Sequence, residues 1–155
     1  MSNYQIYILI SLLPISYAIA SAIPVITTDI RLSRVPNKIV LPLLLLNLTS
    51  MLGLAIWQGL WVRFAWVMLI ALVTLILGSL INRRGFMGMG DVKLLVALSM
   101  IIGWHSIGFG FGFLPLVMLV GVGLAIVALR FLGVDVLRLS PVAYVGFIVI
   151  LFIIK

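Results

Sequence analysis

The stretch FAWVMLIALVTLILGSLIN, residues 64–82, contains no charged side chain. A run of about 20 predominantly apolar residues is long enough to cross the hydrocarbon core of a bilayer as a helix. Five further apolar runs lie at about 4–26, 38–58, 92–107, 108–130 and 140–154. Because a spanning segment must satisfy its backbone hydrogen bonds internally, such runs favour helices. The sequence therefore predicts an all-α polytopic membrane protein with about six transmembrane helices.

The composition excludes several classes of protein. Hydrophobic residues make up 65% of the 155 positions and charged residues 8%, so the chain cannot cover a soluble domain with polar side chains. The net charge of +7 forms no basic stripe, which argues against binding of nucleic acid. The absence of cysteine excludes disulfides, thiolate catalysis and cysteine-ligated zinc. We expect one transmembrane domain over residues 1–155, with the lipid bilayer as its surroundings.

The distribution of basic residues predicts the orientation of the helices. With the N-terminus outside, only Arg63 and Lys155 lie on the outer side, and tryptophans 57, 61, 66 and 104 fall toward the outer interface, where amphipathic rings are enriched. Cytoplasmic loops carry an excess of Lys and Arg, which supports this orientation and a cytoplasmic or inner membrane location. Eight of the ten basic residues lie on the inner side: Arg31, Arg34, Lys38, Arg83, Arg84, Lys93, Arg130 and Arg138.

All three acidic residues, Asp29, Asp91 and Asp135, fall on this same inner side. An acid at the edge of a bilayer is a functional candidate by default. The alternative is that Asp29 and Asp91 cap helices. For Asp135, which lies in a predicted loop near Arg138, we favour a structural role.

Asp91 belongs to the segment GFMGMGDVKLL, residues 85–95. Gly88 and Gly90 allow another backbone to approach closely, which a peptide substrate requires. Non-helical backbone at membrane depth is tolerated only where protein or a water-filled cavity surrounds it. The segment therefore predicts a hydrated notch at the inner edge of the membrane, beside an acid.

Asp29 belongs to a second polar segment, TTDIRLSRVPNKI, residues 27–39, in which Pro36 and Asn37 suit the first turn of the second span. Packing of the first and fourth spans would bring Asp29 and Asp91 together. Two close carboxyl groups do not both ionise easily, so one acts as acid and the other as base around one water. That arrangement hydrolyses a peptide bond without a metal or cofactor.

These residues resemble the type IV prepilin peptidases, GxGD membrane aspartyl proteases that include archaeal preflagellin peptidases. The likeness lies in Asp29, the Pro36-Asn37 helix start, and GMGDVKL at residues 88–94. It covers essentially the whole chain. The resemblance implies that Asp29 and Asp91 are the catalytic pair, with Gly88, Gly90, Lys93, Pro36 and Asn37 shaping the site. It also implies removal of the basic leader of type IV prepilins or pseudopilins at the cytoplasmic face.

The chain departs from the family pattern in two places. Many bacterial members carry a methyltransferase region with paired CxxC motifs, which these cysteine-free residues lack, so we expect no N-methylation. The compact form is similar to peptidases of tight-adherence (Flp) pili. The segment LRLSPVAYVG, residues 137–146, is only approximately like the family's proline-containing start of the last span.

Two functions from other classes remain as alternatives, a proton-coupled small transporter and a non-catalytic pilus or secretion assembly factor. A transporter would usually place its acids near mid-membrane, often within internal repeats, and an assembly factor would not need them. For Lys93 we favour extension to the headgroups over an effect on Asp91, and for Arg83 and Arg84 a role in topology. Five glycines are expected to allow close helix packing: Gly108, Gly110, Gly112, Gly121 and Gly123.

Overall fold

The computed structural model describes residues 3–32, 35–84, 87–132 and 139–154, with side chains at 4–29, 35–84, 87–121 and 140–154. These residues form an all-α bundle, which confirms the predicted fold class. Asp135, Arg34, Arg138 and Lys155 lie outside the described residues. The six helices are α1 (Asn3–Leu32), α2 (Asn37–Gln58), α3 (Trp61–Arg83), α4 (Met89–His105), α5 (Ile107–Leu132) and α6 (Leu139–Ile154).

Three helices contain segments long and apolar enough to cross a membrane: Tyr4–Asp29, Asn37–Gln58 and Trp61–Arg83. Shorter apolar segments of α5 and α6 cover Ile107–Gly121 and Ser140–Ile154. Large apolar side chains on the outside of the bundle are exposed, as at Ile23, Val62 and Phe152. Such a surface suits lipid rather than water. The chain is thus a helical membrane protein, while the count of six spans and the N-out orientation stay predictions.

Helix α4 is the centre of the bundle. It contacts each of the other five helices, and every residue from Leu94 to Trp104 is buried. A helix surrounded by other helices needs small or apolar side chains on all of its faces, and this sequence supplies them. The glycine-rich start of α4 therefore lies where several helix ends converge.

Helices α3, α4 and α5 approach one another closely at Gly78, Gly103 and Gly110. A Cβ atom would come within 2.7 Å of Val92 at Gly78, of Ile70 at Gly103, and of the Gly103 Cα at Gly110. The expectation for Gly110 is confirmed. Those for Gly108 and Gly112 are wrong, because a Cβ there would meet no atom of the described residues within 4 Å. Gly121 and Gly123 stay predictions.

Buried polar side chains join α1, α2, α4 and α6. The Ser21 and Tyr144 hydroxyls lie 3.1 Å apart and link α1 to α6. The Asn47 amide donates to the Ala97 carbonyl at 2.8 Å, which links α2 to α4. Hydrogen bonds of this kind hold helices in register where surrounding lipid offers no alternative partner.

Candidate active site

Asp29 lies in the last turn of α1, with only 4% of its surface exposed. The Ser140 hydroxyl at the start of α6 donates to its Oδ2 atom at 2.5 Å. Burial of a carboxylate is costly unless hydrogen bonds replace water, and Ser140 supplies such a bond. The unpaired N–H groups that a carboxylate can cap lie in the first turn of a helix, not in its last turn. The alternative that Asp29 is a helix cap is therefore wrong.

Asp91 lies in the first turn of α4 and is half-buried. Its Oδ2 atom accepts a hydrogen bond from the backbone N–H of Gly88, the residue before the helix, at 3.2 Å. A carboxylate that reaches back from the third helical position in this way satisfies an N–H that the helix leaves open. Asp91 therefore caps α4, and the positive end of the helix favours its ionised form.

Gly90 brings the start of α4 against the connection between α1 and α2. A Cβ at this position would lie 2.9 Å from the Val35 carbonyl oxygen and 3.0 Å from the Val35 Cβ. No other residue fits without movement of one backbone or the other. At Gly88, a Cβ would instead meet the Asp91 carboxylate at 3.1 Å. Of the two glycines, Gly90 sets the distance between the two polar segments.

Pro36 and Asn37 form the start of α2. The Pro36 carbonyl accepts the Ile39 and Val40 N–H groups at 3.1 and 3.3 Å, so Pro36 is the N-cap residue. The prediction that placed Pro36 inside the first turn is wrong by one residue, because its ψ angle of 119° is extended. Asn37 is the first helical residue and therefore lies in the opening turn of α2, where it was predicted.

Lys93 contacts the other polar segment. Its Nζ atom donates to the Asn37 Oδ1 atom at 3.2 Å. The expectation that Lys93 extends to the headgroups is therefore wrong, and its side chain instead links α4 to α2. The reason is that α4 is central and its first turn faces α2. Lys93, Asn37 and Gly90 thus tie the start of α4 to the start of α2.

We expect Lys93→Met and Asn37→Ala each to lower the free energy of unfolding by about 1 kcal/mol, the usual net contribution of one hydrogen bond. The double variant should lose little more than either single variant, because both remove the same bond. Unfolding in detergent micelles, followed by circular dichroism, measures the three losses. Lys38→Met is the matched control at an exposed lysine, and fully additive losses would contradict the contact.

The sequence analysis missed two residues of this site, Ser140 and Val35. Val35 lies within residues 27–39 and Ser140 within residues 137–146, but no role was predicted for either residue, and Ser140 lies 111 positions from Asp29. The sequence does contain a signal for Ser140, because the pair Ser140-Pro141 begins the last apolar run on the side of the membrane predicted for the acids. No such signal was present for Val35, because it is the Val35 backbone that lies against Gly90.

An apolar groove of about 410 Å³ lies between α5 and α6 and begins beside Ser140. Val145 and Val149, on its wall, are 62% and 50% exposed, so the groove opens to the outside of the bundle. Among the described residues, no three His, Asp or Glu side chains cluster as metal ligands. The groove is lined by Leu116, Val117, Val120, Pro141, Val142, Val145, Gly146 and Val149.

The last turn of α1 therefore meets the first turns of α2, α4 and α6 at one end of the bundle. This end holds Asp29, Asp91, Asn37 and Lys93. The model of the type IV leader peptidase family matches residues 15–153, which include both polar segments and Ser140. No curated protein and no solved structure matches the chain. Since the match covers most of the sequence, the predicted resemblance is confirmed, and the chain belongs to the type IV leader peptidase family.

Proposed function

We propose that this leader peptidase is an aspartic endopeptidase in which Asp29 and Asp91 are the catalytic pair. Membership of the family supports hydrolysis of a leader peptide. One observation carries the assignment of residues: a buried acid in α1 and a half-buried acid in α4 lie at the same end of one bundle. Asp29 is 4% exposed, and an acid buried in a membrane bundle is costly and a functional candidate by default.

In the proposed reaction, the two carboxyl groups share one proton. The ionised group takes a proton from water as the water oxygen attacks the carbonyl carbon of the scissile peptide bond. The protonated group gives its proton to the carbonyl oxygen. When the tetrahedral intermediate breaks its C–N bond, the first group gives its proton to the leaving amine and the second group takes back a proton from a hydroxyl of the intermediate, so the pair returns to its starting state.

The proposed substrates are type IV prepilins or pseudopilins, cut at the cytoplasmic face of a bacterial or archaeal membrane. The end of the bundle with the acids also holds Lys38, Arg83, Arg84 and Lys93, whereas Arg63 lies at the opposite end, near Trp61. The positive-inside rule then favours a cytoplasmic site. Asp29 and Asp91 would meet the leader where the substrate leaves the aqueous phase and its apolar helix begins.

The groove between α5 and α6 is our proposed location for that apolar helix. The first residue that α6 contributes to its wall, Pro141, follows the serine that is hydrogen-bonded to Asp29. A helix in the groove would therefore start near the acids and continue into the bilayer. The groove is open toward lipid, which allows the substrate to enter sideways. Gly146 contributes no side chain to its wall.

We expect Val145→Trp to raise KM for full-length prepilin by about 10-fold, because the indole fills the groove and removes roughly 1.4 kcal/mol or more of helix contacts. Cleavage of a short peptide that ends soon after the scissile bond should be unchanged. Initial rates in proteoliposomes measure both. Leu72→Trp on α3, where the leucine is 52% exposed, is the control, and an equal effect of the two variants would contradict the proposed docking.

Co-expression with a type IV prepilin tests the function directly. We expect mass spectrometry to show loss of the leader, without the added mass of an N-methyl group. Because the prepilin must not be cut by another enzyme, the host should lack leader peptidases of its own. An intact leader beside a correctly inserted protein would contradict the proposal, and substrate uptake by proteoliposomes without proteolysis would favour a transporter.

A further inference from the structure

The contact between Ser140 and Asp29 joins two buried side chains from opposite ends of the sequence. Ser140 is 1% exposed and Asp29 4%, and the hydroxyl lies 2.5 Å from Oδ2. A hydroxyl bonded to a carboxylate in a site with little water is a strong, directional interaction. It uses one of the two oxygens of Asp29 and limits rotation of the carboxyl plane.

The position of Ser140 is fixed by its neighbours in α6. It lies in the first turn, followed by Pro141, whose ring restricts the backbone and which has no N–H to leave unpaired. Ala143 and Tyr144 are buried in the core, and the Tyr144 hydroxyl lies against Ser21 of α1. Among the described residues, hydrogen bonds link α6 to α1 at Ser140 and at Tyr144, about one helical turn apart on α6, and the Ser140 bond is the one to an acid.

We propose that Ser140 is a positioning residue for catalysis, which orients the Asp29 carboxyl for proton transfer. This inference rests on the proposed function of Asp29. The Ser140 hydroxyl occupies Oδ2, so that Oδ1 is the oxygen that exchanges a proton with water and the intermediate. Without Ser140 the carboxyl would rotate, and fewer encounters would have productive geometry.

The pair Ser140→Val and Ser140→Thr tests this role. Valine and threonine have nearly the same shape, so they disturb packing equally and differ only in the hydroxyl. We expect Ser140→Val to lower kcat on the order of 10-fold to 100-fold with little change in KM. Ser140→Thr should retain most of the activity. Equal kcat values for the two variants would overturn the inference. If both fail to insert, Ser140→Ala against the unmodified enzyme measures the same difference with minimal disturbance.

Tyr144→Phe is the matched control. It removes the Ser21–Tyr144 hydrogen bond, which also joins α1 to α6 in the described part of the chain, and leaves the Asp29 contact in place. If Ser140 only joins the helices, Tyr144→Phe should reduce kcat as much as Ser140→Val, and the inference fails. Asp29→Asn distinguishes a failure of the proposed function from a failure of the proposed role of Ser140. Retained cleavage in that variant would refute the proposed function itself, whereas normal cleavage by Ser140→Val alone would refute only the role of Ser140.

Discussion

Asp29→Asn and Asp91→Asn are each expected to reduce leader cleavage by about 1,000-fold or more, because neither amide can exchange a proton with water or the leaving group. Both substitutions keep the size of the side chain. The amide oxygen at position 29 can still accept the Ser140 hydroxyl, and that at position 91 can still accept the Gly88 N–H. Loss of activity would therefore report lost proton transfer rather than a lost structural contact.

Time courses of prepilin cleavage, analysed by mass spectrometry, measure the two variants against the unmodified enzyme. Membrane insertion and the unfolding transition should be preserved, which detergent extraction and circular dichroism check. Asp135→Asn is the internal control, because it removes the third acid of the chain and should leave the rate within about 2-fold if its role is structural. Substantial cleavage by either Asp29→Asn or Asp91→Asn would refute the assignment of the pair.

The helical bundle and its acids were predictable because their signals are local. Long apolar runs such as residues 64–82 favour a helix without reference to the rest of the chain. An acid in such apolar surroundings stands out, because the chain has only three acids. The central position of α4 was not predictable, since its composition is apolar like that of its neighbours. Burial of Leu94 to Trp104 on every face results from the packing of five other helices around it.

Contacts between helices account for the errors within the site. The interpretation of Lys93 considered Asp91 and the headgroups, both near it in sequence or depth, whereas its partner Asn37 lies 56 positions away. Ser140 was not predicted for the same reason, because its partner Asp29 lies 111 positions away. Gly108 and Gly112 resemble Gly110 in sequence, but only Gly110 lies on the face that meets Gly103. A pattern on one helix does not indicate which of its faces another helix will cover.

Gly90→Ala is also expected to reduce leader cleavage strongly. The added Cβ would lie 2.9 Å from a backbone oxygen and 3.0 Å from the Cβ of Val35, neither of which moves as the end of a flexible side chain does. Overpacking of this kind costs about 1–3 kcal/mol. Because the contact joins the start of α4 to the connection after α1, relief of the clash should move Asp91 away from Asp29. We therefore expect cleavage to fall by about 10-fold to 100-fold.

A graded series of alanine substitutions distinguishes this effect from the general consequences of replacing glycine. Gly53→Ala in α2 adds a Cβ where nothing lies within 4 Å, so it should leave activity unchanged and stabilise the helix slightly. In Gly88→Ala the added Cβ would lie 3.1 Å from the Asp91 carboxylate, a side chain that can move. Its cleavage rate should therefore fall between those of Gly53→Ala and Gly90→Ala. Cleavage rates and unfolding transitions of the three variants measure the order. If Gly90→Ala were as active as Gly53→Ala, the close approach of Val35 would not be what holds the two acid-bearing segments together.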